Sequence, residues 1–408
     1  MTGTRKTTLA VLVALAVLAV AACSKTPAPA PETTNRPSPV ASDTPAQWVG
    51  SWAVAVQSGG RSFEKQTVRQ IVHTSIGGST VRIRLSNEFG TGPLTVANIH
   101  VAVSKGDAAI DAGTSTAVTF NRAASVRIEA GKTAESDAVD FELPAGADVA
   151  VSAYLPDGSQ ATTQHAFANR HNYVGWNDQT TNATIQDAET ADSYYFLSGV
   201  DVQNPAAEGA VVTLGASITD GFDSAFGANK RWPDLLARRL SASGRTVGVL
   251  NTGISGNKLL KDGTGDSVRK RFERDALAQP SVKWVIVSDA AINDLGSDRP
   301  SGDELTAALR DLVTRAHAAG IKIFLSTLTP FEGAGYWSAE GETGRAAVNA
   351  FIRGGSSGAD GVIDLDAATH DPGDQTRYRS GYDSGDHLHP DDAGMQAIAD
   401  TVDLSLFR

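Results

Sequence analysis

From Trp48 to about Val202, apolar and polar residues alternate with period two, as they do in half-buried strands. "STVRIRLSN" sets Val81, Ile83 and Leu85 on one face and Arg82 and Arg84 on the other. "ADVAVSAYLPDG" repeats the pattern with Val149, Val151, Ala153 and Leu155, then ends in a Pro-Asp-Gly turn. Shorter segments such as "VTFNR" and "ASVRIEA" are separated by Gly, Asn and Asp. Many short alternating strands with turn punctuation predict an all-β sandwich of jelly-roll type over residues 47–203.

After "NPAAEGA" the period changes. The apolar runs "AVVTLG", "TVGVLN", "KWVIVS", "IKIFLST" and "GVIDLD" are interleaved with helical stretches, among them "WPDLLARRLSASG", "GDELTAALRDLVTRAHAAG", "GRAAVNAFIRG" and "DDAGMQAIADTVDLSLF". Continuous apolar strands alternating with amphipathic helices predict an α/β domain with a buried parallel sheet over residues 204–408. Ligands of such sheets bind at the carboxyl ends of the strands.

The first 46 residues fit neither pattern. Arg5 and Lys6 precede "LAVLVALAVLAVAA" (9–22), fourteen apolar residues, which is short of the roughly 20 a membrane-spanning helix needs. A charged start, a short apolar core and small residues before a break predict a secretory signal over 1–22. It ends in "VAACS", where Cys23 is the single cysteine of the chain. This resembles a bacterial lipoprotein signal, which implies lipidation of Cys23 and an exported protein on the extracytoplasmic side of a bacterial membrane. An ordinary signal peptide that happens to contain a cysteine is the plainer reading. Residues 23–46, rich in Pro, Ser and Thr, predict an extended tether.

Composition narrows the function. With one cysteine an exported chain has no internal disulfide, so stability must come from its cores, and 41% hydrophobic residues suffice to build them. Removing residues 1–22 lowers the net charge from −11 to −13, which argues against nucleic acid as a partner.

Four predicted strand ends bear the candidate chemistry: Ser217 in "VVTLGASITDGFDS", "NTGISGN" (251–257), "AIND" (291–294) and "DSGDHLHP" (383–390). Serine is a weak nucleophile until a neighbouring base takes its proton. His389 follows Asp386 by three residues in a loop stiffened by Pro390, so one turn holds both, with the carboxylate on the ring nitrogen that does not face the serine. Glycines stand at −2 and +4 from Ser217, so the G-x-S-x-G elbow of α/β-hydrolases is absent. Taken singly, Ser217 reads equally as a helix cap and Asn293 as a turn residue; Gly256 alone reads as turn chemistry, and Asp386 and His389 as surface-loop residues.

Taken together, in this order, the blocks resemble the SGNH, or GDSL-type, serine esterases: Ser217 after the first strand, Gly256 in "GISGN", Asn293 in "IND", and Asp386-x-x-His389 near the end. The resemblance covers about 208–405, and the upstream β-rich segment is similar to the amino-terminal domain of two-domain bacterial members. It implies a three-layer, flavodoxin-like α/β fold, with Ser217 as nucleophile, His389 as base and Asp386 as its orienter. An oxyanion hole would be built from the N–H groups of Ser217 and Gly256 and the amide of Asn293. No cofactor and no metal are implied. Two positions depart from the family pattern: Ala216 stands where Asp is frequent and Ala291 where Gly is usual.

The remaining candidates are less sharply marked. Asp220, Arg231 and Trp232 are expected to brace the nucleophile loop, and Phe331, Tyr336 and Trp337 to line a substrate pocket or pack in the core. The His387/His389 pair has no further ligand at recognisable metal spacing, and His73, His100, His165, His171, His317 and His370 lack a comparable setting. The absence of a long apolar lid favours short acyl groups. The expected substrate is an acylated carbohydrate or a small ester. The alternatives are a lipase on lipid or simple esters, and a non-catalytic glycan-binding lipoprotein, which exposed Trp48, Trp52 or Trp176 would favour.

Overall fold

The computed structural model describes residues 47–160 and 162–408. The predicted signal, the Cys23 lipidation site and the tether lie outside the described residues, which form one compact unit.

Two large antiparallel sheets, beside a two-stranded and a three-stranded one, make up the strand-rich part. The smaller has the order Trp48–Ala53, Leu197–Gln203, Gly78–Ser86, Thr133–Glu135, with Val139–Leu143 also on Gly78–Ser86. The larger centres on Gln66–His73, Asp148–Leu155 and Leu94–Gly106. Their facing residues, including Val81, Ile83, Leu85, Val149 and Val151, join one core. Alternation holds along Gly78–Ser86 but fails along Asp148–Leu155, where Ala150 and Ser152 are also buried. That strand is central, and its second face is covered by Ile71, Ala102, Tyr173 and Ile185, so both sides need apolar or hydrogen-bonded residues.

The carboxyl-terminal half is a five-stranded parallel sheet in the order Val247–Asn251, Gly209–Leu214, Val282–Val287, Lys322–Ser326, Gly361–Ile363. In chain order this is 2-1-3-4-5, the flavodoxin-like arrangement, whose switch point lies beside the first strand. The strands are apolar on both faces because helices cover both. Val211, Trp284 and Ile286 pack with Trp232, Leu236 and Met395 on one side. Val212, Val285 and Val287 pack with Leu305, Leu309 and Leu312 on the other.

The sandwich closes the exposed edge of this sheet. An unpaired edge leaves N–H groups seeking partners, and here the N–H of Val249 donates to Ser75 Oγ at 2.9 Å. The two backbones touch at Gly50 and Gly248, where a Cβ on Gly248 would meet the Gly50 carbonyl oxygen at 2.1 Å.

Candidate active site

All four marked segments lie at the carboxyl edge of the parallel sheet, around the switch point. Ser217 opens the short helix Ser217–Asp220, and no side chain caps that helix. Its hydroxyl instead meets His389 Nε2 at 2.8 Å, while His389 Nδ1 lies 2.6 Å from Asp386 Oδ2. The second carboxylate oxygen of Asp386 accepts the N–H groups of Leu388 and His389, at 2.9 and 2.8 Å. Ser217 and His389 are buried. Partial burial works to raise the Asp386 carboxyl, but hydrogen bonds from the His389 and Leu388 N–H groups and from the His389 ring outweigh it and hold it below the usual carboxylate range.

The loop bearing this pair is pinned from inside. Asp383 accepts the N–H groups of Gly385 and His387, and its other oxygen lies 2.6 Å from His387 Nδ1. Ser384 N–H donates to the His389 carbonyl. His387 is therefore turned away from His389 and spent on Asp383. A second carboxylate, Asp223, stands 4.0 Å from His389 Nδ1 and accepts from Ser384 Oγ at 2.8 Å. Asp223, Asp386 and His389 bring ligand-type atoms within 4.8 Å of one another, but two of the three already bond each other.

Gly256 sits in a tight turn at φ +79°, a conformation that favours glycine, with a Cβ there meeting Thr264 Oγ1 at 3.1 Å. The Asn293 amide is fixed in orientation: its Oδ1 accepts from the Tyr336 hydroxyl at 3.0 Å and its Nδ2 donates to the Asn257 carbonyl at 2.9 Å. One N–H of the amide remains available. Burial, with Asp289 and Asp386 nearby, pushes the Tyr336 hydroxyl well above its ordinary value, so it stays a donor. Its ring packs so closely on the next helical turn that a Cβ on Gly296 would meet it at 1.9 Å.

The two departures have local explanations. Ala291 has φ −90°, which any residue adopts. Beside Ala216, the support for the Ser217 turn comes from Asp289 at the end of the third strand, which accepts the Ile218 N–H at 2.9 Å and the Thr219 hydroxyl at 2.5 Å. The carboxylate lies so close to Gly215 that a Cβ there would meet it at 2.3 Å.

Several partners carried no signal in the sequence. Arg271, fully buried, donates to the carbonyls of Gly215 and Thr252 and to Asn257 Oδ1, stitching the Ser217 turn to the Gly256 loop. Asp294 accepts the N–H groups of Leu259 and Leu260, at 2.7 and 3.1 Å, and burial pushes its carboxyl up to about 6 despite those bonds. His165, from the sandwich, reaches Asp220 on the helix that Ser217 opens. Phe222, exposed, packs at a tilt against the His389 ring with centroids 4.6 Å apart and against Phe167 at 5.7 Å.

Asp220 and Arg231 brace the Ser217 turn: Asp220 accepts both the N–H and the hydroxyl of Ser255, and Arg231 packs over Gly221 while pairing with Asp234 at 2.8 Å. Trp232 is core. The pocket expected around Phe331 needs correction. Phe331 is 0% exposed and packs under Tyr336, so it meets no solvent. Tyr336 is committed to Asn293, and Trp337 lies half-buried against the core.

Residues 213–397 match the GDSL-like Lipase/Acylhydrolase family. Three solved structures are similar to about half of this chain. A putative acylhydrolase from Bacteroides fragilis has 20% identity and TM-score 0.39, covering 49% of this chain and 89% of its own. An acetylxylan esterase from Geobacillus stearothermophilus has 23% identity and TM-score 0.37, covering 48% and 93%. An alpha/beta hydrolase enzyme from the metagenome of Lake Arreo has 23% identity and TM-score 0.39, covering 50% and 96%. No curated protein matches the chain.

Proposed function

We propose that the protein is a serine ester hydrolase that cleaves short O-acyl esters, such as acetyl groups on a carbohydrate, through Ser217, His389 and Asp386. The observation that carries this reading is the unbroken hydrogen-bond line from Ser217 Oγ to His389 Nε2 and from His389 Nδ1 to Asp386, 2.8 and 2.6 Å long. A hydroxyl in line with an imidazole whose far nitrogen is held by an ionised carboxylate is a serine prepared for attack.

Ser217 Oγ adds to the ester carbonyl carbon as its proton passes to His389 Nε2. Asp386, held anionic, orients the ring and stabilises the imidazolium. The carbonyl oxygen becomes an oxyanion that the N–H groups of Ser217 and Gly256 and the free N–H of Asn293 receive. The intermediate collapses by breaking the ester C–O bond, and His389 returns its proton to the departing alcohol. Water then repeats the sequence on the acyl-serine, releasing the acid and restoring the hydroxyl. Phe222, over the imidazole, offers an apolar wall for the acyl or alcohol group.

The sequence of residues 1–46 supports attachment through Cys23 on the extracytoplasmic side of a bacterial membrane. The test of the reaction is hydrolysis of p-nitrophenyl esters of increasing chain length by the wild type, Ser217→Ala and His389→Ala. The expected result is turnover highest for acetate and lost in both folded variants. Wild-type protein inert on every chain length overturns the reading.

A further inference from the structure

On the sandwich, remote in sequence from the catalytic blocks, the structure holds a second site. The strand Asn172–Trp176 ends at Trp176, whose side chain stands 64% exposed on the wall of a cleft of about 560 Å³. A lone surface tryptophan is ordinary. The backbone that carries this one is held in place on three sides. Trp176 is opposite Gln66 and Val174 is opposite Glu189 in the sheet register, so all four side chains project from the same face. Beyond the strand, the N–H of Asn177 donates to the Lys65 carbonyl at 2.6 Å, with both residues in the left-handed region, which fixes the rim. Behind it, Gly175 presses on Ile185, where a Cβ would meet the side chain at 2.4 Å. The ring is thus presented from a rigid element.

The chemistry around the ring selects a ligand class. Arg61 is spent on Glu189 in a two-pronged pair of 2.6 and 3.0 Å, and Glu64 and Asp187 add two more carboxylates, leaving the cleft with net charge −2. Anions are repelled. A flat aromatic wall beside carboxylate and amide acceptors suits a ring with apolar C–H faces and hydroxyl edges.

We infer that this cleft binds an uncharged saccharide unit, stacked on Trp176 with its hydroxyls donating to Glu64, Asp187 and Gln66. The inference deepens the carbohydrate reading of the substrate but is independent of the esterase chemistry: the strand-rich half docks a neutral polysaccharide through this cleft, whatever Ser217 does.

The test is native electrophoresis of the full protein through gels containing soluble xylan, glucomannan or β-glucan, with polygalacturonate as the acidic comparison. At least one neutral polysaccharide should retard the wild type while polygalacturonate does not. Trp176→Ala, a substitution of an exposed side chain, should weaken that retardation at least about tenfold, with unchanged far-UV circular dichroism and urea midpoint. Ser217→Ala should be retarded like the wild type, which separates failure of the binding site from failure of the esterase reading. Identical mobility in all three neutral gels, or retardation that survives Trp176→Ala, overturns the inference.

Discussion

His165 of the sandwich and Asp220 of the helix that Ser217 opens meet in a buried contact, Nε2 to Oδ1 at 3.0 Å, with each side chain almost wholly shielded from water. The other ring nitrogen, Nδ1, faces the Ala55 carbonyl at 2.9 Å. A carbonyl oxygen only accepts, so Nδ1 bears a proton, and a carboxylate at Nε2 favours a second one. Burial works against the charge, but Asp220 and the Ala55 carbonyl outweigh it and raise the histidine above its ordinary value. Because Asp220 also holds Ser255, the residue before Gly256, the sandwich is tied to two of the segments that shape the site.

Removing this histidine leaves Asp220 buried without its cation. His165→Ala is expected to lower the unfolding free energy by about 3–5 kcal/mol, the usual cost of breaking a buried pair, and to reduce kcat through the Ser255–Gly256 loop. A raised histidine stabilises the fold fully below its unfolded pKa and loses that contribution as pH rises through the folded value. The wild type should therefore weaken more steeply than His165→Ala as pH rises above the ordinary histidine value. Urea unfolding at a series of pH values measures both effects, and parallel curves would remove the imidazolium from the account.

Asn293 and Tyr336 divide one task. If the amide receives the oxyanion, Asn293→Ala should reduce kcat about 10²–10³-fold with little change in KM. Tyr336→Phe keeps the ring that packs on Gly296 and deletes only the bond that sets the amide, so about a tenfold loss in kcat is expected. Steady-state kinetics on an acetyl ester distinguishes the two. An Asn293→Ala enzyme with wild-type kcat would exclude the amide from the oxyanion hole.

What the sequence made legible was short-range or periodic. Asp386 and His389 are three residues apart on one turn, and the apolar runs of the sheet declare themselves without reference to anything distant. Asp289 was invisible because its partners, Ile218 and Thr219, lie some 70 residues upstream and nothing in "VSDA" marks it. His165 looked like any other histidine for the same reason. Aromatics failed on exposure: Phe331 and Phe222 are both near the site, yet only folding decides that the first is core and the second faces the imidazole.

Asp223 gives the histidine a second carboxylate, and this alters the expected penalty for losing the first. In Asp386→Ala the imidazole keeps a negative charge 4.0 Å from Nδ1, so we expect activity to fall about 10²-fold rather than the roughly 10⁴-fold seen when a triad loses its only acid. Asp223→Ala alone should be nearly silent, and the double variant should reach the full loss. Single-turnover rates for the four proteins give the coupling directly; a double variant no worse than Asp386→Ala would show that Asp223 plays no such part.

Asp294 makes the opposite demand on pH from an ion-paired carboxylate. Burial raises its folded pKa to about 6, while the unfolded value is the ordinary 3.8. A raised acid contributes its stability below the unfolded pKa and loses it as pH rises through the folded one. Between pH 5 and pH 8 the wild type should therefore lose about 1 kcal/mol on account of this group alone. Asp294→Asn cannot titrate, and one of its two bonds to the Leu259 and Leu260 N–H groups is lost, so it should be the less stable protein at pH 5. By pH 8 the gap should have narrowed by that amount, as read from the difference in unfolding free energy at the two pH values. A gap that stays constant would mean that the two N–H donors hold the carboxylate ionised throughout.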